Sequence, residues 1–318
     1  MRIVFMGTPD FAVPSLQSLV DHGYNVVGVV TQPDRPKGRK QILTPSPVKE
    51  LAIKLGLEVF QPERIKREEA IEHVLSWKPD LIVTAAYGQI IPEPLLFTPK
   101  FKAINVHASL LPKYRGAAPI HQSIIHGEKE TGVTIMYMVK ELDAGDILSQ
   151  AKVVIESDDT VGTLHDKLSQ VGKNLLIETI KKIEEGTIHP IPQDDHLATY
   201  APMIKREDER IVWNKTSTQI YNQIRGMNPW PVAFTTYKGQ NVKVWWAEPF
   251  PYHHETEPGT ILRVTKDQLL VATKDGAIEL KEIQPAGKKK MDIVSFLQGA
   301  QVQEGEKLGE INEQEVDS

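Results

Sequence analysis

The feature that most constrains the fold is a change of texture near Arg206. Upstream, short apolar runs alternate with stretches of helical spacing. RIVFM (2–6) reads as a buried strand ending at Gly7, and a helix is expected from about Phe11 to His22, with Pro14 tolerable only in its first turn. VVGVVT (26–31), the short pair Val59-Phe60 and LIVTAAY (81–87) read as further strands. Ser46-Pro47 reads as the N-cap and first residue of a helix to about Leu55, and REEAIEHVLSW as another helix. AINVHAS is the next strand, followed by a helix from about Ala118 to His126 and the run VTIMYMV. Leu164, Leu168, Val171, Leu175 and Ile183 fall on helical spacing between Val161 and Glu185, and Gly186 ends that helix. Strands alternating with helices imply an α/β fold, a doubly wound, mainly parallel, Rossmann-like sheet.

Downstream of Arg206 a short helix is expected at 217–225, closed by Gly226. The short runs VAFTTY, NVKVWWA, GTILRV, QLLVAT and AIELKEI follow, with turns at Lys238-Gly239-Gln240 and Lys274-Asp275-Gly276. Such spacing implies a smaller C-terminal β-barrel. The expected organisation is a catalytic domain over 1–189, a linker over 190–205 and a barrel domain over 206–318. A length of 318 residues suits two cores better than one. The end of the chain carries Glu304, Glu306, Glu310, Glu313, Glu315 and Asp317 against Lys307, and is expected to fray. One of the adjacent pair Trp245 and Trp246 is expected in the core, because strand alternation sends them to opposite faces. Trp230, or the other member, is left to stack on bases or to pack.

The net charge of −5 confines any nucleic-acid contact to a local patch. With no cysteine there are no disulfides and no thiolate metal sites, which agrees with a cytoplasmic protein. No apolar run approaches the ~20 residues of a membrane span, and with MRIVFMG leading directly into a strand-like run no signal or transit peptide is expected. The remaining histidines show no ligand spacing with carboxylates, so no metal is expected, and nothing calls for an obligate protein partner.

Chemistry concentrates between Asn105 and Asp146. Asn105 and His107 sit two apart at the end of a strand, so both side chains leave one face. The loop SLLPKYRG follows, and Asp143 waits beyond the next apolar run. An amide donor, an imidazole and a carboxylate meeting at one sheet edge suit transfer of an acyl-type carbon to an amine. The bland alternative is a satisfied structural histidine.

Two other loops leave strands at the edge where open α/β sheets hold ligands. One carries Arg35, Lys37, Arg39 and Lys40, either a plain solvated loop or a grip on RNA phosphates. The other, Tyr87-Gly88-Gln89-Ile90, is either a simple turn or the lining of a flat ring pocket. Lys288-Lys289-Lys290 is a solvated turn or a phosphate contact. Gly7-Thr8-Pro9-Asp10-Phe11 lacks the G-x-G-x-x-G spacing, which argues against a nicotinamide cofactor.

The Asn-x-His-x-Ser-Leu-Leu-Pro segment with its downstream Asp resembles the signature of the folate-dependent formyltransferases. Ala108 and Gly-Ala-Ala-Pro-Ile at 116–120 resemble those members that act on methionyl-tRNA. The resemblance implies 10-formyltetrahydrofolate as formyl donor and initiator methionyl-tRNA as acceptor. It implies catalysis by Asn105, His107 and Asp143, and a folate pocket shaped by Ser109, Leu110, Leu111 and Pro112. Tyr87, Gly88 and Ile90 would lie against the pterin. Arg35, Lys37, Arg39 and Lys40 would touch the tRNA acceptor arm, Arg39 foremost, and the barrel would resemble an oligonucleotide-binding fold. A formyltransferase for another amine, such as a nucleotide-linked sugar, and a binding module without turnover are the alternatives.

Overall fold

A computed structural model describes residues 1–38 and 40–310, the side chain of Lys37 excepted. Packing divides the chain into two compact units. The first comprises Met1–Pro119, Glu130–Val154 and His165–Ala201; the second takes Ile120–Lys129, Ile155–Leu164 and the chain from Pro202. The division is therefore not one cut near residue 206, and residues 190–201 pack as part of the first unit rather than as a free spacer.

The first unit opens with β1 (Arg2–Gly7), α1 (Val13–Asp21) and β2 (Asn25–Val30). Pro14 lies in the first turn of α1, where its missing N–H has no partner to lose. Next come the small hairpin β3 (Arg35–Lys37) and β4 (Ile42–Thr44), then α2 (Pro47–Lys54), β5 (Val59–Phe60) and α3 (Glu68–Ser76). Ser46 caps α2 by accepting the Lys49 N–H. β6 (Leu81–Ala85), α4 (Glu93–Phe97), β7 (Ala103–His107), β8 (Glu130–Tyr137), β9 (Ile147–Val154) and α6 (Val161–Glu185) follow, while α5 (Pro119–Ile125), between β7 and β8, and the first turn of α6 belong to the second unit. Seven strands form one sheet in the order β5-β2-β1-β6-β7-β8-β9. Its first five are parallel, and β8 and β9 are added antiparallel. Every residue of β6 is buried, as a parallel strand covered on both faces requires. Hairpin β3–β4, α4 and β9 were not apparent as elements in the sequence.

The second unit contains α7 (Ser217–Gly226), β10 (Phe234–Tyr237), β11 (Gln240–Phe250), β12 (Ile261–Val264), β13 (Leu269–Ala272), β14 (Ala277–Pro285), β15 (Met291–Asp292) and α8 (Ile293–Gly299). The sheet runs β10-β11-β14-β13-β12 with β15 on β14, all antiparallel. It curls into a half-barrel whose edges are joined by single bridges, Tyr237 to Leu308 and Thr260 to Lys307. Lys238 and Gly239 both take positive φ (50° and 74°), the two-residue turn that suits the twist of β10 and β11.

Three expectations in this unit are corrected. Gly226 is the last helical residue of α7, and its lack of a Cβ serves close packing: an added Cβ would lie 2.7 Å from Ile125 Cγ1. Neither Trp245 nor Trp246 is in the core. The register slips between Val244 and Ala247, so Val242, Val244 and Ala247 take the inward positions and both indoles stay half-buried. Finally, residues 304–310 are ordered by partners. Glu304 accepts the Val264 N–H, and Glu306 pairs with Tyr237 Oη and Lys238 Nζ. Glu313, Glu315 and Asp317 lie outside the described residues.

Candidate active site

β7 carries the centre of the site. Asn105 and His107 alternate with buried Val106, so both project from the same face. Thr84 is the register partner of Asn105 on β6, and its hydroxyl donates to Asn105 Oδ1 at 2.7 Å. The single hydroxyl proton has the Ile104 carbonyl at 3.1 Å as its other acceptor; on the shorter contact it sets Oδ1 toward Thr84 and leaves Nδ2 to donate outward. His107 is 6% exposed. Its Nε2 lies 2.9 Å from the Tyr114 carbonyl, and a carbonyl can only accept, so Nε2 carries a proton. Nδ1 is therefore the nitrogen that faces Asp143, with Oδ2 3.7 Å away. That distance is beyond a hydrogen bond but within reach of a charge–charge attraction when the ring is protonated. Asp143 Oδ2 itself accepts the Gly116 N–H at 2.8 Å.

Asn105 and His107 share a face of β7 and Asp143 comes within 3.7 Å of His107, though not off one edge of the sheet. β8 is antiparallel to β7, so its end at Tyr137 lies beside Ile104, not beside His107. The loop after it folds back along β7, held where Tyr137 N–H donates to Asp146 O, and so delivers Asp143 to the imidazole.

The loop after β7 is tied down from below. Thr134, the register partner of His107 on β8, is fully buried. It donates to the Ser109 carbonyl at 2.7 Å and accepts from Leu111 N–H at 3.1 Å and Gln150 Nε2 at 2.9 Å. Ser109 is fully buried with its hydroxyl on the Lys113 carbonyl, and Leu111 is also buried. Both side chains face protein, while Leu110 and Pro112 are half-buried. Tyr114 and Gly116 lay inside quoted motifs without a role of their own, and Gln150 had no motif; the available signal for Thr84 and Thr134 was a polar residue in an apolar strand.

The loops that leave the carboxyl ends of β1, β2 and β6 are stitched together. Thr8 Oγ1 donates to the Tyr87 carbonyl at 2.8 Å, Gln32 Nε2 to the same oxygen at 3.3 Å, and Gln89 Nε2 to Gln32 Oε1 at 3.2 Å. The Tyr87 ring does not line this edge. It packs with Val4, Met6, Val30 and Ile82, and burial raises the pKa of its hydroxyl. Among the described residues that hydroxyl has no hydrogen-bond partner. Gly88 takes a φ of 94°, and Ile90 stands 89% exposed on the rim.

Arg35 and Lys37 lie on β3, which pairs with β4 in a hairpin. Its base is set by Asp34, whose carboxylate meets Lys49 Nζ at 2.6 Å and Gln61 Nε2 at 2.7 Å; these bonds hold it below the usual carboxylate range. Arg35 pairs with Glu63 at 2.9 Å on the surface, and Lys40 is exposed. Arg39 and the Lys37 side chain lie outside the described residues. Lys288, Lys289 and Lys290 are all exposed, and Lys290 pairs with Glu282 at 2.6 Å. No group of three His, Asp or Glu among the described residues could hold a metal, and no described helix is long and apolar enough to cross a membrane.

The formyl transferase family pattern matches residues 1–180, and its C-terminal domain pattern matches 203–301. A methionyl-tRNA formyltransferase from Bacillus velezensis is 59% identical over 314 residues, covering 98% of this chain and 99% of that one. The one from Bacillus subtilis is 58% identical over 313 residues, with the same coverage. Among solved structures, an N-formyltransferase from Helicobacter canadensis superposes with a TM-score of 0.63 at 21% identity, covering 89% of this chain and 98% of that one. That likeness speaks to the fold. The identity across the full length speaks to descent, and this chain belongs to the formyl transferase family, grouped with methionyl-tRNA formyltransferases.

Proposed function

We propose that this enzyme transfers the formyl group of 10-formyltetrahydrofolate to the α-amino group of initiator methionyl-tRNA. The observation that carries the chemistry is the meeting of an outward Asn105 amide, His107 and Asp143 on one face of β7. The names of the close relatives supply the acceptor. The donor set fits a formyl carbonyl: Asn105 Nδ2 is a neutral donor and His107 Nδ1 a donor when protonated.

When bound, the folate donor supplies an activated formyl carbon. The acceptor amine has an ordinary pKa near ~7.7–8.0, so a useful fraction is neutral at pH 7 and no strong base is needed to begin. As the amine nitrogen bonds to the formyl carbon, electron density moves to the oxygen. Asn105 Nδ2 and protonated His107 Nδ1 stabilise it there by hydrogen bonding. Asp143 stabilises the imidazolium across 3.7 Å, and the Tyr114 carbonyl holds the opposite edge of the ring. The amine must then lose a proton and the departing nitrogen gain one; Asp143 with His107, or a water between them, serves as carrier. Gly88, Ile90, Leu110 and Pro112 remain accessible to line the folate. Ser109, Leu111 and the Tyr87 ring support that lining from within. Arg35, Lys37, Arg39 and Lys40 hold acceptor-arm phosphates, and the curled sheet after Arg206 holds tRNA without performing chemistry.

The test is transfer of labelled formyl from the folate to charged initiator tRNA, with uncharged tRNA, free methionine and an amino-sugar nucleotide as controls. Transfer to the charged tRNA alone is expected. Equal or faster transfer to the sugar nucleotide would assign a different acceptor, and donor binding without transfer to any of them would leave a binding module.

A further inference from the structure

We propose that residues 191–201 form a strap that belongs to the catalytic apparatus, with Gln193 as the positioning residue for Asp143. The inference rests on the reading of Asn105, His107 and Asp143 as the catalytic group. Asp143 has a φ of 48°, a left-handed conformation that is uncommon outside glycine and that Asp and Asn adopt more readily than other residues. Gln193 fastens the backbone in that turn. Its Nε2 donates to the Asp143 carbonyl at 2.7 Å and to the Gly145 carbonyl at 2.8 Å, bracketing the turn on both sides of Ala144.

The amide of Gln193 cannot be turned round. Its Oε1 accepts from Arg115 Nε at 3.1 Å and Nη2 at 2.9 Å, and a guanidinium only donates. Arg115 is 4% exposed and also meets Asp195 Oδ1 at 2.7 Å, a second contact with the same strap. Arg115 directly precedes Gly116, whose N–H holds the Asp143 carboxylate. The strap also fixes the other side of the imidazole. Tyr114 N–H donates to Thr199 Oγ1 at 2.9 Å, Arg115 N–H to Thr199 O at 2.8 Å, and Ala201 N–H to Arg115 O at 2.7 Å. Tyr114 supplies the carbonyl that accepts from His107 Nε2. One segment thus sets both the carbonyl behind His107 and the carboxylate in front of it. A displacement of Asp143 by a fraction of an ångström alters the field at Nδ1, and misplacement of this order slows a reaction without weakening substrate binding.

The experiment uses the full chain as wild type, Gln193→Ala, Gln193→Glu, Asp143→Ala and the double variant Gln193→Ala/Asp143→Ala. Single-turnover formyl transfer at saturating donor and charged tRNA is measured together with KM and thermal stability. Gln193→Ala is expected to lower the rate about 10- to 100-fold with little change in either KM. Gln193→Glu keeps the acceptor for Arg115 but sets a carboxylate against two carbonyls, and is expected to be at least as slow. In the Asp143→Ala background the Gln193 substitution is expected to add nothing, since it acts through the residue already removed. Should Gln193→Ala prove too unstable to assay, Gln193→Glu carries the same cycle. Losses that multiply in the double variant, or a Gln193→Glu enzyme with the wild-type rate, would make the strap a structural fastening and overturn the inference. A wild-type rate for Asp143→Ala would instead bring down the reading of the catalytic group itself.

Discussion

The amide of Asn105 shows how much of the chemistry depends on a neighbour that takes no part in it. An amide presents a donor and an acceptor of similar size, and only its surroundings decide which faces the substrate. Thr84 makes that choice by donating to Oδ1 from the adjoining strand, inside a site where it is 2% exposed. Replacing Thr84 by Val keeps shape and strand preference but removes the donor. Single-turnover transfer is then expected to fall about tenfold, below the ~10²–10³ typical of losing an oxyanion donor outright, with the fold intact by circular dichroism. A wild-type rate for Thr84→Val would show that something else orients the amide. The spacing of Asn105 and His107 was legible in the sequence because strand alternation has a period of two. The direction of Tyr87 was not. Ala86 takes a φ of 46°, which ends β6 at Ala85 and rotates Tyr87 into the cluster around Ile82. A single left-handed residue outside glycine leaves no mark in composition or periodicity.

Among the elements, the β3–β4 hairpin is the one whose charge separates it from an otherwise acidic chain. Its base is anchored by Asp34, Lys49 and Gln61, while Lys40 at the turn is exposed. Anchored below and charged above, it suits a backbone contact. Arg39→Ala with Lys40→Ala is expected to raise KM for charged tRNA and leave folate affinity unchanged. The slope of log(kcat/KM) against log salt should flatten by about one to two units, as one or two fewer counterions are released. An unaltered slope with an unaltered KM would remove the hairpin from the tRNA interface. The elements that the sequence did not disclose have separate causes. α4 is a five-residue turn of helix led by Pro92 and Pro94, too short for any period to register. β9 (ILSQAKVV) mixes polar and apolar residues at the sheet edge without a strict period of two, and that hides it beside the apolar run of β8.

For the whole molecule, the consequence lies in how the second unit is assembled. It draws 120–129 and 155–164 from the middle of the chain. Arg225 donates to the carbonyls of Glu156 at 3.2 Å and Asp159 at 3.0 Å, and Gly226 packs on Ile124 and Ile125. A chain ended at residue 205 would keep those two segments and lose what covers them. It is therefore expected not to behave as a clean catalytic half. Its Tm should fall by roughly 10 °C or more, since each large buried apolar side chain left uncovered is worth about 2–5 kcal/mol and each 1 kcal/mol moves Tm by about 2–4 °C. Stronger binding of a hydrophobic dye should accompany the loss. A truncated chain with the Tm and folate affinity of the full protein would show that 120–129 and 155–164 are stable without the rest of their unit.

What the sequence determined by itself was local: which runs are strands and which helices, where Ser46 and Gly186 begin and end them, and that Asn105 and His107 leave one face together. These follow from side-chain period and backbone preference, which act over a few residues. The tertiary structure alone decided that β8 pairs antiparallel to β7, so that Asp143 must be folded back to reach His107. It alone decided that the prolines at 190, 192 and 202 frame a strap and not a spacer. Its bonds join residues about 50 to 85 positions apart, such as Gln193 to Asp143 and Tyr114 to Thr199, and no short-range pattern encodes a partner at that distance.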